Sequence, residues 1–520
     1  MSARRHMLLA PLLGFALAVS AQDEHARSRS HPPPEKLGKV TFPTTCARAV
    51  QPRFERAVAL LHSFAYTAAG QAFRDVAAAD PECAIAHWGT AMAYFHQLWE
   101  PPGPDEVRAA SDELARAREP AARSARERDF IGAIAVYYRD ADRVAPAQRA
   151  QSYETAMADV ARRYPDDAEA QIFYALALLG AAPLTDRTHA KQKRAAEILE
   201  PLYRTYPQHP GLAHYLIHAY DSAELAPRGL AAARAYSKIA PSAPHALHMP
   251  SHIFTRLGYW DDSIASNLDA RAAAHAEGDI GEELHAMDYL TYAYLQRGRD
   301  VDAARLVDEL HAILQVLSAG NFKIGYAANA MPVRLAIERQ RWDTAAALEP
   351  LPGSEPHVAA IVYWARAIGR SHSGEADAAD ADIASIDACL AKLRAAGNDY
   401  WATQTDVLAD SARAWQLDAK GQSEAAIERL RIAADKEDAI EKRPVTPGPV
   451  VPAREQLADL LMQRDRAQEA LREYQAALTL APGRRGALRG GADAAERVGD
   501  MQTARLLRAG LEGEPPEAKL

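Results

Sequence analysis

The chain has 520 residues, of which 48% are hydrophobic and only 7% aromatic, with a formal net charge of -9 at neutral pH. Such a composition is globular rather than disordered. A negative balance supplies no general attraction to nucleic acid or to an anionic membrane surface, so neither is expected as a partner. Alanine is abundant, with runs at 231–233 and 345–347, and no alternating strand pattern is evident. Alanine loses no side-chain entropy in a helix, so the whole chain reads as all-α.

At the N-terminus, Arg4 and Arg5 precede an apolar run over 7–19 and the small-residue stretch Val19-Ser20-Ala21. These are the three parts of a secretory signal, expected over residues 1–21. Residues 22–45 are polar and include Pro32, Pro33 and Pro34, as expected of a flexible leader. The expected location is periplasmic or secreted, with no membrane span once the signal is cleaved, since no later apolar stretch is long enough. Cys46 and Cys83 fall near the starts of neighbouring predicted helices, where an exported chain can pair them; Cys389 would then stay free. Spacing alone leaves that connectivity open.

From residue 46 to 510 the chain repeats a common grammar, clearest at 54–100, 210–310 and 450–510. In AQEALREYQAALTLAPG, small Ala470 and Ala477 flank aromatic Tyr474, and Pro482 ends the helix. AFRDVAAADPECAIAHWG has the same exit at Asp80-Pro81. RLGYWDDSIASN contains a helix–helix turn at Gly258, with comparable turns at Gly298, Arg341-Trp342, Gly374, Gly421 and Gly499. Residues 511–520 read as a disordered tail. This grammar resembles the tetratricopeptide-repeat superfamily, although the spacing of the turns is irregular against its period of about 34 residues. The resemblance implies a right-handed superhelical solenoid of helix-turn-helix repeats, with a concave groove. Each unit buries its apolar face only by stacking on its neighbours.

Of 18 histidines in the chain, seven lie between His214 and His285. His214, His218 and Asp221 are spaced four and three apart in HYLIHAYD. His245, His248 and His252 are spaced three and four apart in HALHMPSHIF, and His285, Asp288 and Tyr292 follow the same rhythm. Such spacing puts side chains on one helix face. Counted back from the turn glycines Gly258 and Gly298, the second and third sets fall in the same repeat register, and the first fits it if the loop after it is an insertion. In tetratricopeptide proteins those positions face the groove. Met249-Pro250 implies either a helix starting at Pro250 or a kink. Together HxxxHxxD and HxxHMPxHI resemble segments of exported bacterial repeat proteins, a likeness that brings no activity with it.

Imidazole ligates zinc, copper and iron, and a carboxylate often completes the set. The expected metal ligands are His214, His218, His248 and His252, then Asp221, His245, His285 and Asp288, enough for one or two ions. Tyr292, Arg256 and Glu455 are expected along the groove, as contacts for a small molecule or peptide. His62 and His96, set among apolar residues, read as core or cap histidines, and Asp186 as a helix cap. HExxH, nucleotide-binding loops and haem attachment motifs are all missing from the sequence, so no nucleotide cofactor is expected. Two functions follow: a metalloprotein, with or without enzymatic turnover, or a noncatalytic adaptor whose groove holds a peptide or protein partner.

Overall fold

The computed structural model describes residues 35–98, 101–118, 124–314, 322–443 and 445–513. The expected signal over 1–21, most of the leader and the end of the tail lie outside them. The described chain is an all-α solenoid of helix-turn-helix pairs, stacked in chain order from Gln51–His62 to Met501–Glu512. Local sequence sets the boundaries. Asp167, Asp279 and Asp500 each accept a hydrogen bond from the first turn of the helix they precede, which satisfies an otherwise orphaned backbone N–H. Asp186 does the same ahead of Ala190–Thr205, accepting from the N–H of Thr188 at 2.9 Å and of Ala190 at 3.2 Å.

Two turn glycines also mark where distant repeats meet. Gly258 and Gly298 are left-handed, with φ of 73° and 70°, a region costly for residues bearing a Cβ. A Cβ at Gly258 would come within 2.4 Å of the Pro482 carbonyl oxygen, and one at Gly298 within 2.8 Å of Arg485. Trp260 Nε1 donates to the Gly483 carbonyl at 3.0 Å. The last repeats therefore fold back onto the middle ones. Helices Ser423–Asp438 and Ala453–Gln463 are joined by a longer, proline-rich segment, 439–452.

Met249-Pro250 is a kink. Helix Pro244–His248 stops at Met249, which keeps helical dihedrals (φ −54°, ψ −35°), and Pro250–Leu257 continues beyond it. Proline lacks the N–H that would continue the ladder, so the axis bends without the chain leaving helical space.

The leader expected through residue 45 needs correcting: its final part is packed. Lys39 N–H donates to Gln208 O at 2.8 Å, and Leu37, Val40 and Phe42 are buried. Phe42 meets the rings of Phe54, Trp88 and Phe130 at 5.3, 5.4 and 5.3 Å. Burial of one such side chain contributes about 2–3 kcal/mol, enough to fix a short arm whose alternation is too brief to stand out in sequence. Cys46 and Cys83 form a disulfide that ties this arm to the second helix pair, and Cys389 is free and buried.

Candidate metal centre

Six of the predicted histidines converge as two groups of three. In the first, His214 and His218 stand one turn apart on helix Pro210–Tyr220, and His245 comes from the start of the kinked helix. In the second, His248 and His252 straddle the kink, and His285 comes from helix Ile280–Gln296. Within each group one nitrogen per ring lies within 4.8 Å of the others. The groups adjoin, with ring centroids 6.2 Å apart for His245 and His248 and 6.1 Å for His218 and His252. None of the six is more than 8% exposed. Each group has an aromatic wall. Phe64 lies 4.4, 5.7 and 5.5 Å from His214, His218 and His245; Tyr289 lies 4.7, 5.2 and 5.3 Å from His248, His252 and His285.

Hydrogen bonds on the far side of the rings decide which nitrogen carries the proton. Asn267 Nδ2 donates to the Ser263 carbonyl at 2.8 Å, so its Oδ1 faces His248 Nδ1, at 2.6 Å. His248 Nδ1 must therefore be the donor. His252 Nδ1 donates to Asp221 Oδ2 at 3.0 Å. In the neutral imidazole the other nitrogen is a lone pair. His248 Nε2 and His252 Nε2 thus point two lone pairs at one another across 3.1 Å. Such a pair repels unless a cation sits against it. In the first group, His214 Nδ1 donates to the His62 carbonyl at 2.6 Å, and its Nε2 stands 3.1 Å from His218 Nε2.

Protonation is a poor way to supply that cation. Burial holds His214, His218 and His248 well below the ordinary imidazole value, with neighbouring imidazoles adding to it. Burial also lowers His252, although Asp221 pulls the other way. A charged imidazole in a site closed to water loses its hydration.

The other predicted residues take different places. Asp221 touches the centre only through His252. Its Oδ1 accepts from Arg256 Nε at 2.8 Å and stands 3.6 Å from Lys442 Nζ. Burial alone would raise the Asp221 carboxyl, but Lys442 and Arg256 outweigh it and hold the group well below its usual range. Arg256 also reaches Glu441 Oε1 at 2.7 Å. Asp288 is drawn off by Arg334, whose Nε donates to Oδ1 at 2.8 Å. Tyr292 and Glu455 meet at Arg484, which donates to Tyr292 Oη at 3.3 Å and to Glu455 Oε1 and Oε2 at 3.0 and 2.9 Å. As ligands, Asp221 and Asp288 are thus corrected: one orients a ring, and the other neutralises a buried arginine. His275 lies outside, with its side chain 78% exposed. Sequence reasoning missed Phe64, Asn267, Tyr289, Glu441 and Lys442. Lys442 and Glu441 arrive on the 439–452 insertion, and only the unusual length of that linker hinted at them.

No protein family model and no curated protein matches the chain. Among solved structures it is similar to Ypp1, at 9% identity and a TM-score of 0.48, covering 84% of this chain and 65% of that one. It is similar also to human IFIT1 in complex with PPP-AAAA, at 12% identity and a TM-score of 0.39, covering 82% and 90%. The P58(IPK) TPR domain matches at 12% identity and a TM-score of 0.23, covering 87% and 99%. The chain thus spans about two-thirds of Ypp1. Likenesses this distant concern the fold alone.

Proposed function

We propose that this is an exported metalloprotein whose six groove histidines hold a pair of transition-metal ions, three imidazoles to each. His214, His218 and His245 would hold one ion; His248, His252 and His285 the other. The observation that carries this reading is the pair of lone pairs on His248 and His252, fixed face to face at 3.1 Å by Asn267 and Asp221. Nitrogens that share a metal at about 2.0–2.1 Å in near-tetrahedral geometry stand roughly 3.3 Å apart, so the spacing suits a common ion. An all-imidazole donor set favours zinc, copper or iron, and three ligands per ion leave positions at which water is activated or oxygen is bound. The chain's own part is to set the tautomers, through the His62 carbonyl, Asn267 and Asp221, and to exclude bulk water with Phe64 and Tyr289. Supporters of this kind around a ligand are as much a part of a metal site as the ligands. Export rests on the signal-like residues 1–21.

The adaptor reading has less to support it. The space a peptide would take is crossed by 439–452, where Arg334 Nη1 donates to the carbonyls of Gly448 and Pro449 at 3.1 and 3.3 Å. Elemental analysis of untagged protein purified from periplasm tests the proposal. The double variant His218→Ala/His252→Ala is expected to carry about two equivalents of metal fewer than the parent, while far-UV circular dichroism stays helical. Equal metal content in parent and variant, or failure of the metal-free protein to take up zinc, copper or iron, would sink it.

A further inference from the structure

A third constellation lies behind the first histidine group. His62 ends helix Gln51–His62, Glu169 sits in the first turn of Ala168–Gly180, and His209 precedes Pro210–Tyr220. Glu169 Oε2 is 2.9 Å from His62 Nε2, and its Oε1 is 3.0 Å from His209 Nε2. The three are 0%, 2% and 5% exposed, for His62, Glu169 and His209 in turn. One ligand-capable atom of each lies within 4.8 Å of the others. Close approach is built in: a Cβ at Gly211 would come within 2.6 Å of His62 Nδ1.

Charge makes this more than a hydrogen-bonded core cluster. Among the described residues, Glu169 pairs with these two imidazoles and with no lysine or arginine. A buried carboxylate needs a positive partner, from a charged imidazole or from a bound cation. His62 Nδ1 is satisfied by Tyr215 Oη at 2.9 Å, so its Nε2 can present a lone pair. Facing a carboxylate, His209 Nε2 carries the proton while no ion is bound, and Nδ1, enclosed and without a hydrogen bond, is the other nitrogen that can take it when Nε2 turns its lone pair to a cation. Two imidazoles and one carboxylate around an uncompensated buried charge are the donor set of a divalent cation.

We propose that His62, Glu169 and His209 form a separate site for one divalent cation of the zinc or ferrous-iron class. Its donor set is harder than that of either histidine group, because a carboxylate replaces an imidazole. The site stands independently of the six-histidine reading. Its coupling to that reading rests on one bond, His214 Nδ1 to the His62 carbonyl at 2.6 Å. An ion held by His62 would anchor the residue that aims His214.

Zinc is the probe. Metal-free full-length protein is loaded with zinc, gel-filtered and analysed for metal, alongside Glu169→Gln, His209→Gln and His218→Ala/His252→Ala. Each single variant should bind one equivalent fewer than the parent. The double variant should keep one equivalent, which adding Glu169→Gln removes. An anomalous-scattering peak at the zinc edge, between His62, Glu169 and His209 of the unaltered protein, is expected and decides the matter even if a variant does not fold. Equal zinc content in parent and Glu169→Gln, or no peak there, overturns the proposal and leaves a proton-held cluster. If the six histidines bind nothing, the parent still carries one equivalent, so the two proposals fail separately.

Discussion

The groove has a histidine half and an arginine half, and they settle the same problem in opposite ways. Both bury polar groups at equivalent faces of stacked helices. Around Arg334 and Arg484, each 0% exposed, Asp288 pairs with one arginine and Glu455 with the other, while Glu338 shares Arg484 and is pushed up by burial. Around His248 and His252 the supporting residues fix the lone pairs and leave the positive charge to come from elsewhere. A buried site whose polar groups pair with one another is a clamp; one whose lone pairs face one another is shaped for a cation.

The largest expected contrast is in response to acid. His214, His218 and His248 are lowered by burial, so below about pH 6.5 the unfolded chain binds more protons than the folded one. Their contribution to the stability of metal-free protein is complete above that pH and is lost as pH falls. The slope is about 1.4 kcal/mol per pH unit for each, or about 4 for the three together. Urea denaturation between pH 7 and pH 5 reads it, and a flat profile would break the contrast. Next, Arg484→Ala leaves Glu455 and Glu338 buried without their partner, at an expected cost of about 3–5 kcal/mol in thermal unfolding, with metal content unchanged. A loss of metal in that variant would show that the halves are not separate. The smallest effect belongs to Asp221→Asn, which replaces the carboxylate behind His252 with a neutral acceptor. It should weaken metal binding at the second group about 10- to 100-fold in chelator competition, in line with other losses of a ligand's supporter, and leave the first group's affinity in place.

The helical repeats were legible because their punctuation is local. Gly258, Gly298 and the Asp80-Pro81 exit are read from a few residues at a time, and the structure turns at each. The histidine rhythm was legible for the same reason. The limit shows in HAMDYLTY, where His285, Asp288 and Tyr292 share one register and yet part company. His285 joins the second group, Asp288 goes to an arginine 46 residues on, and Tyr292 to one 192 residues on. Helix periodicity fixes the face but says nothing of which distant residue meets each turn of it. The tautomer partners were hidden likewise: Asn267 is an ordinary helical asparagine, and the His62 acceptor is a backbone carbonyl with no sequence signature.

The 439–452 insertion carries none of the six histidines, yet it braces residues that stand behind them. Glu441 and Lys442 rest on Arg256 and Asp221, and Thr446 and Gly448 on Arg334. Asp221 in turn orients His252, so the insertion reaches the second histidine group through one bond. A stretch that looks like a linker is thereby part of the scaffold behind an imidazole, and a substitution there reaches the ring without touching it.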